Sequence, residues 1–306
     1  MNLKMEENFK SGFVSMIGRT NVGKSTILNA LVGEKVSAVA NKTQTTRTAI
    51  RAIVNRENSQ IIFIDTPGIH KPKSKLSETM METTFTFTTD VDVILFVIDA
   101  TSEEIGRGDT RILEKLKENN KKVILVMNKI DMVQNKEKLL KLIKLYQAEY
   151  DFCAVVPVSA TKKENIETLL QEIENNLKPG PAYYDKEEYT DQTLRQLAEE
   201  TVREKALRLL QDEIPHGIYV ETEKMKLKKT ANKEPIYHIE ETIYCIRDSH
   251  KGIIIGKNGS MLKKIGTYAR EDLEKILGTK VNLQLWVKVN KDWINNEKVV
   301  SKFKLK

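Results

Sequence analysis

The stretch Phe13-Val14-Ser15-Met16-Ile17-Gly18-Arg19-Thr20-Asn21-Val22-Gly23-Lys24-Ser25 decides how the chain is read. Its first five residues form a short apolar run of the kind buried as a strand, and the next eight fit the phosphate-binding loop pattern. A helix starting near Lys24 and running through Ile27, Leu28 and Leu31 would aim its unpaired first-turn N–H groups and its positive dipole end at a phosphate chain. Gly18 and Gly23 let the backbone turn tightly around the anion, with Asn21 and Val22 between them. Lys24 supplies charge to the outer phosphates, Ser25 offers magnesium a hard oxygen donor, and Thr26 continues the cradle into the helix. Read structurally, the same residues are only a Gly-containing strand-to-helix turn; the rest of the chain decides between the two.

A chain of 306 residues has length for two ordinary domains. Its 40% apolar and 30% charged residues describe a soluble globular protein, and no run of about 18 uncharged apolar residues could span a bilayer. Met1 to Lys10 mixes Lys4 and Lys10 with Glu6 and Glu7 and has no long apolar segment after it, so a cytosolic location is expected. Cys153 and Cys245 stand far apart without metal-type or redox-type spacing, and core filling is the role expected of both. From Arg247 to Lys306 there are 14 Lys and Arg against 6 Asp and Glu, an excess larger than the net charge of +7 carried by the whole chain. The basicity therefore belongs to the C-terminal end, where a polyanion such as nucleic acid or an anionic membrane surface is the natural partner.

Apolar runs recur at Thr48 to Val54, Ile61 to Ile64, Val93 to Ile98, Val123 to Val126 and Ala154 to Val156, mostly unbroken, as in strands buried on both faces. Amphipathic helical stretches, Thr110 to Lys117, Lys138 to Tyr150 and Asn165 to Leu177, separate the later ones. Such alternation predicts an α/β domain with a mostly parallel, doubly wound sheet over residues 1–178, its ligand outside the carboxyl ends of the strands. Leu177-Lys178-Pro179-Gly180-Pro181 ends the pattern, and 179–190 read as a linker. Residues 191–306 read as helix (Asp191 to Gln211), two strands (Ile218 to Leu227, Pro235 to Arg247), two helices around Ile253 to Gly259, and a strand (Val281 to Val289), an α+β order with a basic tail.

Three further motifs fall just past predicted strand ends. In Asp65-Thr66-Pro67-Gly68 a carboxylate can hold magnesium through water, and the Gly68 N–H can approach a terminal phosphate. In Asn128-Lys129-Ile130-Asp131 the Asp can accept both N–H donors of a guanine edge, the Asn can bond base and backbone, and the Lys stem can cover the ring. Ser159-Ala160 can offer a backbone N–H to the guanine carbonyl oxygen; adenine lacks the matching donors. Each tetrapeptide is weak alone, but all three in this order after a phosphate loop are specific.

These residues resemble the translation-factor-related class of GTPases. The resemblance gives Lys24, Ser25, Asp65, Asn128 and Asp131 the roles above. It makes Gln44-Thr45-Thr46-Arg47 the first switch segment, with Thr46 on magnesium in the GTP state. Lys24, Thr46 and Gly68 are then the catalytic candidates. Many small GTPases orient the attacking water with a glutamine directly after Asp-x-x-Gly. This chain has Ile69, an aliphatic side chain that cannot do so, and slow intrinsic hydrolysis is expected. Asn21 is the residue type that helps hold potassium near the phosphates in related GTPases, so K+ joins Mg2+ as an expected ion.

Near the C-terminus, Gly256-Lys257-Asn258-Gly259 joins two helices behind the apolar Ile253-Ile254-Ile255, with Lys251, Lys263, Lys264 and Arg270 nearby. With the element order, this resembles a KH domain of the bacterial type, whose groove clamps about four nucleotides of single-stranded RNA. Ile255, Gly256, Lys257, Asn258, Gly259, Lys263 and Lys264 are the RNA candidates. Adding the strand Leu283-Gln284-Leu285-Trp286-Val287-Lys288-Val289, the chain resembles the Era family over nearly its whole length. That resemblance implies a monomeric GTP/GDP switch that binds the 3′ end of 16S ribosomal RNA and assists rRNA processing and 30S subunit biogenesis, in the cytoplasm or against the inner face of the membrane. Two positions depart from it: Thr20 stands where Pro is usual, and Ile294 where a basic residue is common. Trp286, alternating with apolar neighbours, is expected in the core, although it and Trp293 are both candidates to stack bases. The alternatives from other classes are a nucleotide-dependent metabolic kinase, against which Asn128 and Asp131 speak, and a membrane-associated GTPase scaffold with a vestigial nucleotide site, against which Lys24, Ser25 and Asp65 speak.

Overall fold

The computed structural model describes residues 9–38, 50–65, 75–76, 78, 90–118, 121–211, 214–230 and 232–301. The predicted switch residues Gln44, Thr45, Thr46 and Arg47, and Gly68 with Ile69, lie outside them. The N-terminal half is built on β1 (Lys10–Ile17), β2 (Ile50–Asn55), β3 (Ser59–Asp65), β4 (Val93–Asp99), β5 (Lys122–Asn128) and β6 (Ala154–Val158). They lie in the order β2-β3-β1-β4-β5-β6, parallel except for β2, which runs antiparallel to β3. Every residue of β3 is buried, and all of β4 but its last, which is why these strands read as continuous apolar runs.

Helices cover both faces. On one, α1 (Lys24–Val32) brings Ile27, Leu28 and Leu31 against Val14, Met16, Phe63 and Val97. On the other, α2 (Arg107–Lys117) and α3 (Lys136–Glu149) bring Ile112, Leu116, Leu142 and Tyr146 against Ile94, Phe96 and Met127. A fourth helix, α4 (Ile166–Asn176), returns to the α1 side through Leu169 and Ile173. The sheet is doubly wound, and Ile17, Asp65, Asp99, Asn128 and Val158 mark its carboxyl edge.

The stretch read as a linker is held along the sheet. A two-residue strand, β7 (Lys178–Pro179), pairs antiparallel with β1. The buried Gln60 then takes the N–H groups of Tyr183 and Tyr184 on its Oε1, at 2.7 and 2.9 Å, and donates to the Tyr184 carbonyl at 2.8 Å. Beyond it, Asn55 donates to the carbonyls of Lys186 and Glu188, and the Ile53 N–H to that of Tyr189.

The C-terminal half opens with α5 (Leu194–Leu209), started by a capping box between Thr193 and Gln196. Next come β8 (Ile218–Lys229), β9 (Pro235–Cys245), α6 (Asp248–Ile255), α7 (Ser260–Leu277) and β10 (Lys280–Val289). The sheet order is β10-β9-β8, with β9 parallel to β10 and antiparallel to β8. One face packs on the helices through Val202, Ala206, Ile243, Ile254, Ile265 and Val287. A short α8 (Glu297–Val300) follows. Among the described residues no helix is long and apolar enough to cross a membrane.

Three expectations are corrected. Trp286 is 43% exposed, because Leu283, Leu285 and Val287 take the helix-facing side of β10 and alternation sends Trp286 to the other. Trp293 is wholly buried, its indole N–H donating to the Gly217 carbonyl at 3.0 Å and its ring against Tyr219, so it is not available to a base. Cys153 is exposed just before β6; only Cys245 is a core residue.

Candidate nucleotide site and nucleic-acid interface

The phosphate loop occupies the β1–α1 turn. Gly23 caps α1 at φ 98°, a left-handed conformation, and a Cβ there would lie 2.2 Å from the Asn128 amide nitrogen. Only glycine lets loop and Asn128 approach so closely. The Asn128 Nδ2 donates to the Val22 carbonyl at 2.9 Å, so the residue predicted to read a base also braces the loop. No described side chain caps the start of α1, whose first-turn N–H groups, including those of Lys24, Ser25 and Thr26, face the loop. Asn21 is exposed, also left-handed at φ 64°.

Lys24 is buried, and its ammonium donates to the carbonyls of Gly18 and Arg19 at 3.0 and 3.1 Å. Burial pushes its pKa down to about 8, against the opposing pull of Asp65. The Ser25 hydroxyl donates to Asp65 Oδ2 at 3.0 Å, and the Ser37 hydroxyl to the same oxygen at 2.9 Å. A hydroxyl and a buried carboxylate, hard oxygen donors within one hydrogen bond of each other beside a phosphate loop, fit a magnesium ion.

At the base-reading edge, Ser159 Oγ donates to Asp131 Oδ1 at 2.6 Å, and the Ala160 N–H to Asn128 Oδ1 at 3.2 Å. Lys129 is left-handed at φ 70°, and its ammonium sits 2.6 Å from Asp99 Oδ2 at the end of β4. Burial raises the Asp99 carboxyl, but the bonds from Lys129 and Thr101 outweigh it and hold its pKa below the ordinary value.

Three supports escape a reading of motifs. Asp109, wholly buried in the first turn of α2, pairs with Arg19 of the phosphate loop at 3.0 Å and accepts the Tyr146 hydroxyl at 3.0 Å. Asn29 holds the segment after α1 by accepting from the N–H groups of Val36 and Ser37 and donating to the Ser37 carbonyl. Ser37 in turn reaches Asp65. A single Asp, Asn or Ser at such spacings carries no sequence signal; the partners come from other elements.

In the C-terminal half, α6 ends at Gly256, φ 73°, where a Cβ would lie 2.8 Å from the Met261 backbone nitrogen. The turn through Lys257, Asn258 and Gly259 leaves Lys257 and Asn258 exposed, with Ile255 half-buried behind them. Along α7 a groove of about 390 Å³ is lined by Leu262, Lys263, Gly266 and Arg270 on the helix and by Leu283 and Leu285 on β10. Lys263 is in this groove. Lys264 is turned over the Tyr268 ring, 6.0 Å from its centroid, and does not line it. Ile294 packs with Trp293, Tyr219 and Val300, an apolar place that accounts for the missing basic residue there.

A phosphate loop braced by an Asn-Lys-x-Asp edge on a doubly wound sheet, followed by an α+β half with a Gly-x-x-Gly turn, defines a P-loop GTPase joined to a KH domain. Comparison with known proteins agrees. Residues 13–129 match the family described as 50S ribosome-binding GTPase, and residues 213–294 match the KH domain. The chain is 50% identical to GTPase Era of Clostridioides difficile strain 630, over 96% of this chain and 98% of that one. It is 52% identical to GTPase Era of Caldanaerobacter subterraneus subsp. tengcongensis, over 96% and 97% respectively. A crystal structure of Era in complex with MgGDPNP and nucleotides 1506-1542 of 16S ribosomal RNA superimposes with a TM-score of 0.92 at 40% identity, over 97% of this chain and all of that one. A variant of Aquifex aeolicus Era bound to GDP.AlF4- does so equally. The chain belongs to the Era family of GTPases.

Proposed function

We propose that this protein binds GTP with magnesium across the β1–α1 loop, hydrolyses it slowly, and uses the nucleotide state to govern its grip on the 3′ region of 16S ribosomal RNA during 30S subunit biogenesis. The observation that carries the guanine half is the Asn128 brace: one side chain bonds the phosphate loop and the Ala160 N–H, while Asp131 is held by Ser159. A base seated there is indexed to its own phosphates. Asp131 accepts from the guanine edge, Lys129 covers the ring, and the Ala160 N–H turns to the guanine carbonyl oxygen in place of its long bond to Asn128.

In this reading Gly18, Asn21, Val22, Gly23 and Thr26 cradle the phosphates through backbone N–H groups, and Lys24 neutralises the outer ones. Ser25 and Asp65, joined by Thr46 in the GTP state, hold magnesium, which when bound neutralises charge on the outer phosphates. Gly68 offers its N–H to the terminal phosphate. Ile69 cannot orient water, so turnover is slow, and Asn21 makes potassium the expected stimulant.

The RNA half rests on the basic Gly-x-x-Gly groove and on the Era complex with its rRNA fragment. Ile255, Gly256, Lys257, Asn258, Gly259 and Lys263 take the strand, and Lys264 adds charge from beside the groove. Residues 1–178 and 191–306 are the two working units, joined by 179–190. The protein works as a cytoplasmic monomer, with the basic tail available to an anionic membrane.

Phosphate release from GTP and ATP by the full chain tests the first half; equal rates reject it. Recovering cellular RNA by crosslinking in the GDPNP and GDP states tests the second. Equal recovery of the same RNA removes the switch and leaves the binding.

A further inference from the structure

The RNA groove ends at β10, an edge strand with no neighbour beyond it among the described strands. Leu283 and Leu285 face α7 and line the groove. Trp286 and Lys288 take the opposite face of the same strand. Trp286 shares a row with Thr242 and Glu221, and Lys288 shares the next with Tyr244 and Tyr219. Of two tryptophans in the chain, one is wholly buried and this one is 43% exposed. A half-exposed indole forgoes much of the stabilisation that burying an aromatic side chain brings.

We propose that Trp286 is a stacking platform for an unpaired RNA base, reached by the single strand as it leaves the groove and turns over the β10 edge, with Lys288 taking the adjoining phosphate. This rests on the reading of the groove as the RNA site. Aromatic faces beside basic groups are how single strands are bound without reading the base. The surroundings favour RNA over a protein partner: by register, the nearest positions on its face of the sheet are Gln284 and Lys288 along β10 and Thr242 and Glu221 across the strands, and a protein interface needs a contiguous apolar core. Glu221, at the inner end of the Trp286 row, repels phosphate and so keeps the backbone along β10 with the base directed inward, while Lys288, loosely paired with Glu223 at 3.7 Å, exchanges that carboxylate for the phosphate.

The test uses the full chain with Mg2+ and GDPNP, titrated with an RNA of nucleotides 1506-1542 of 16S ribosomal RNA. Because Trp293 is sealed from solvent, saturable quenching of tryptophan emission reads Trp286, and it is expected in the native protein and absent in W286F. By fluorescence anisotropy of labelled RNA, W286A should bind about fivefold to 150-fold more weakly. W286F, which keeps a ring, should lose much less. W286A binding as tightly as the native chain overturns the proposal. A K257E/K263E variant separates the two readings: if it loses the RNA while W286A does not, only the stacking role falls, and if it too binds unchanged, the groove assignment falls with it.

Discussion

Lys35 sets its ammonium 2.6 Å from the Asp272 carboxylate, linking the segment after the phosphate-loop helix to the helix that begins at the Gly-x-x-Gly turn. The same ammonium is 3.0 Å from Glu204 of α5, a wholly buried carboxylate that Lys205 and Arg208 also reach. Ser37, two residues from Lys35, bonds Asp65. Three residues, Ser37, Val36 and Lys35, thus connect the expected magnesium ligand to the RNA-binding half.

K35A should cost about 1 to 2 kcal/mol of stability, because Lys205 and Arg208 still compensate Glu204 while partly exposed contacts are lost. The pH dependence should change as well. Burial raises the Asp272 carboxyl, but Lys205 and Lys35 overcome it and bring its pKa down to about 2. A depressed carboxylate stabilises the fold above its unfolded pKa of about 4 and loses that contribution as pH falls towards 2. Urea unfolding from pH 5 to 2 should show a shallower loss in K35A; superimposable curves would discount the contact.

D131N should move preference from guanine to xanthine. The carboxylate bonds to the base are charge-assisted, about 1.5 to 3 kcal/mol each, so GTP affinity should fall at least tenfold while XTP gains. Competition of GTP and XTP for a fluorescent guanine nucleotide reads this directly, and unchanged GTP affinity would place the base elsewhere.

Potassium should raise GTP turnover over sodium at equal ionic strength, and N21A should remove the difference without altering GTP affinity in sodium buffer. Phosphate release in the two salts, with and without RNA, is the measurement. Equal rates in all four conditions end the role of Asn21.

E241Q should stabilise the protein at neutral pH. Glu241 is wholly buried on β9, and burial pushes its pKa up to about 8, opposed by the Thr222 hydroxyl at 3.1 Å and aided by Glu199. A raised carboxyl holds its proton in the folded state, so stability falls as pH rises from about 4.5 to 8. Gln keeps the Thr222 bond without the charge, and the gain should reach a few kcal/mol near pH 8 and vanish below pH 4.5. Parallel curves for the two proteins from pH 4 to 9 would mean that Glu241 titrates normally.

How much of this was legible depends on what each feature rests on. The phosphate loop, Asp65, Asn128 and Asp131 sit at strand ends that apolar runs mark, so sequence and fold coincide there. Trp286 was legible too: Gln284 and Lys288 share its parity along β10, and weight given to its immediate apolar neighbours misplaced it. Trp293 was not, since its burial depends on the Gly217 carbonyl 76 residues away. Asp109 with Arg19, and Ser37 with Asp65, are likewise bonds between distant elements that no spacing announces. Residues 179–190 carry no apolar period because polar bonds from Gln60 and Asn55 fix most of them, with one ring contact, Tyr183 on Phe13.

That last bond set changes what kind of joint the protein has. A free 12-residue tether would let the RNA-binding half sample a wide volume, with an effective concentration set by chain statistics. With Tyr183 to Thr190 strapped to β2 and β3, and α5 beginning at Leu194, the free leash is only a few residues long. A leash that short, with Lys35 paired to Glu204 and Asp272, leaves the second half little volume to sample and keeps it beside the first.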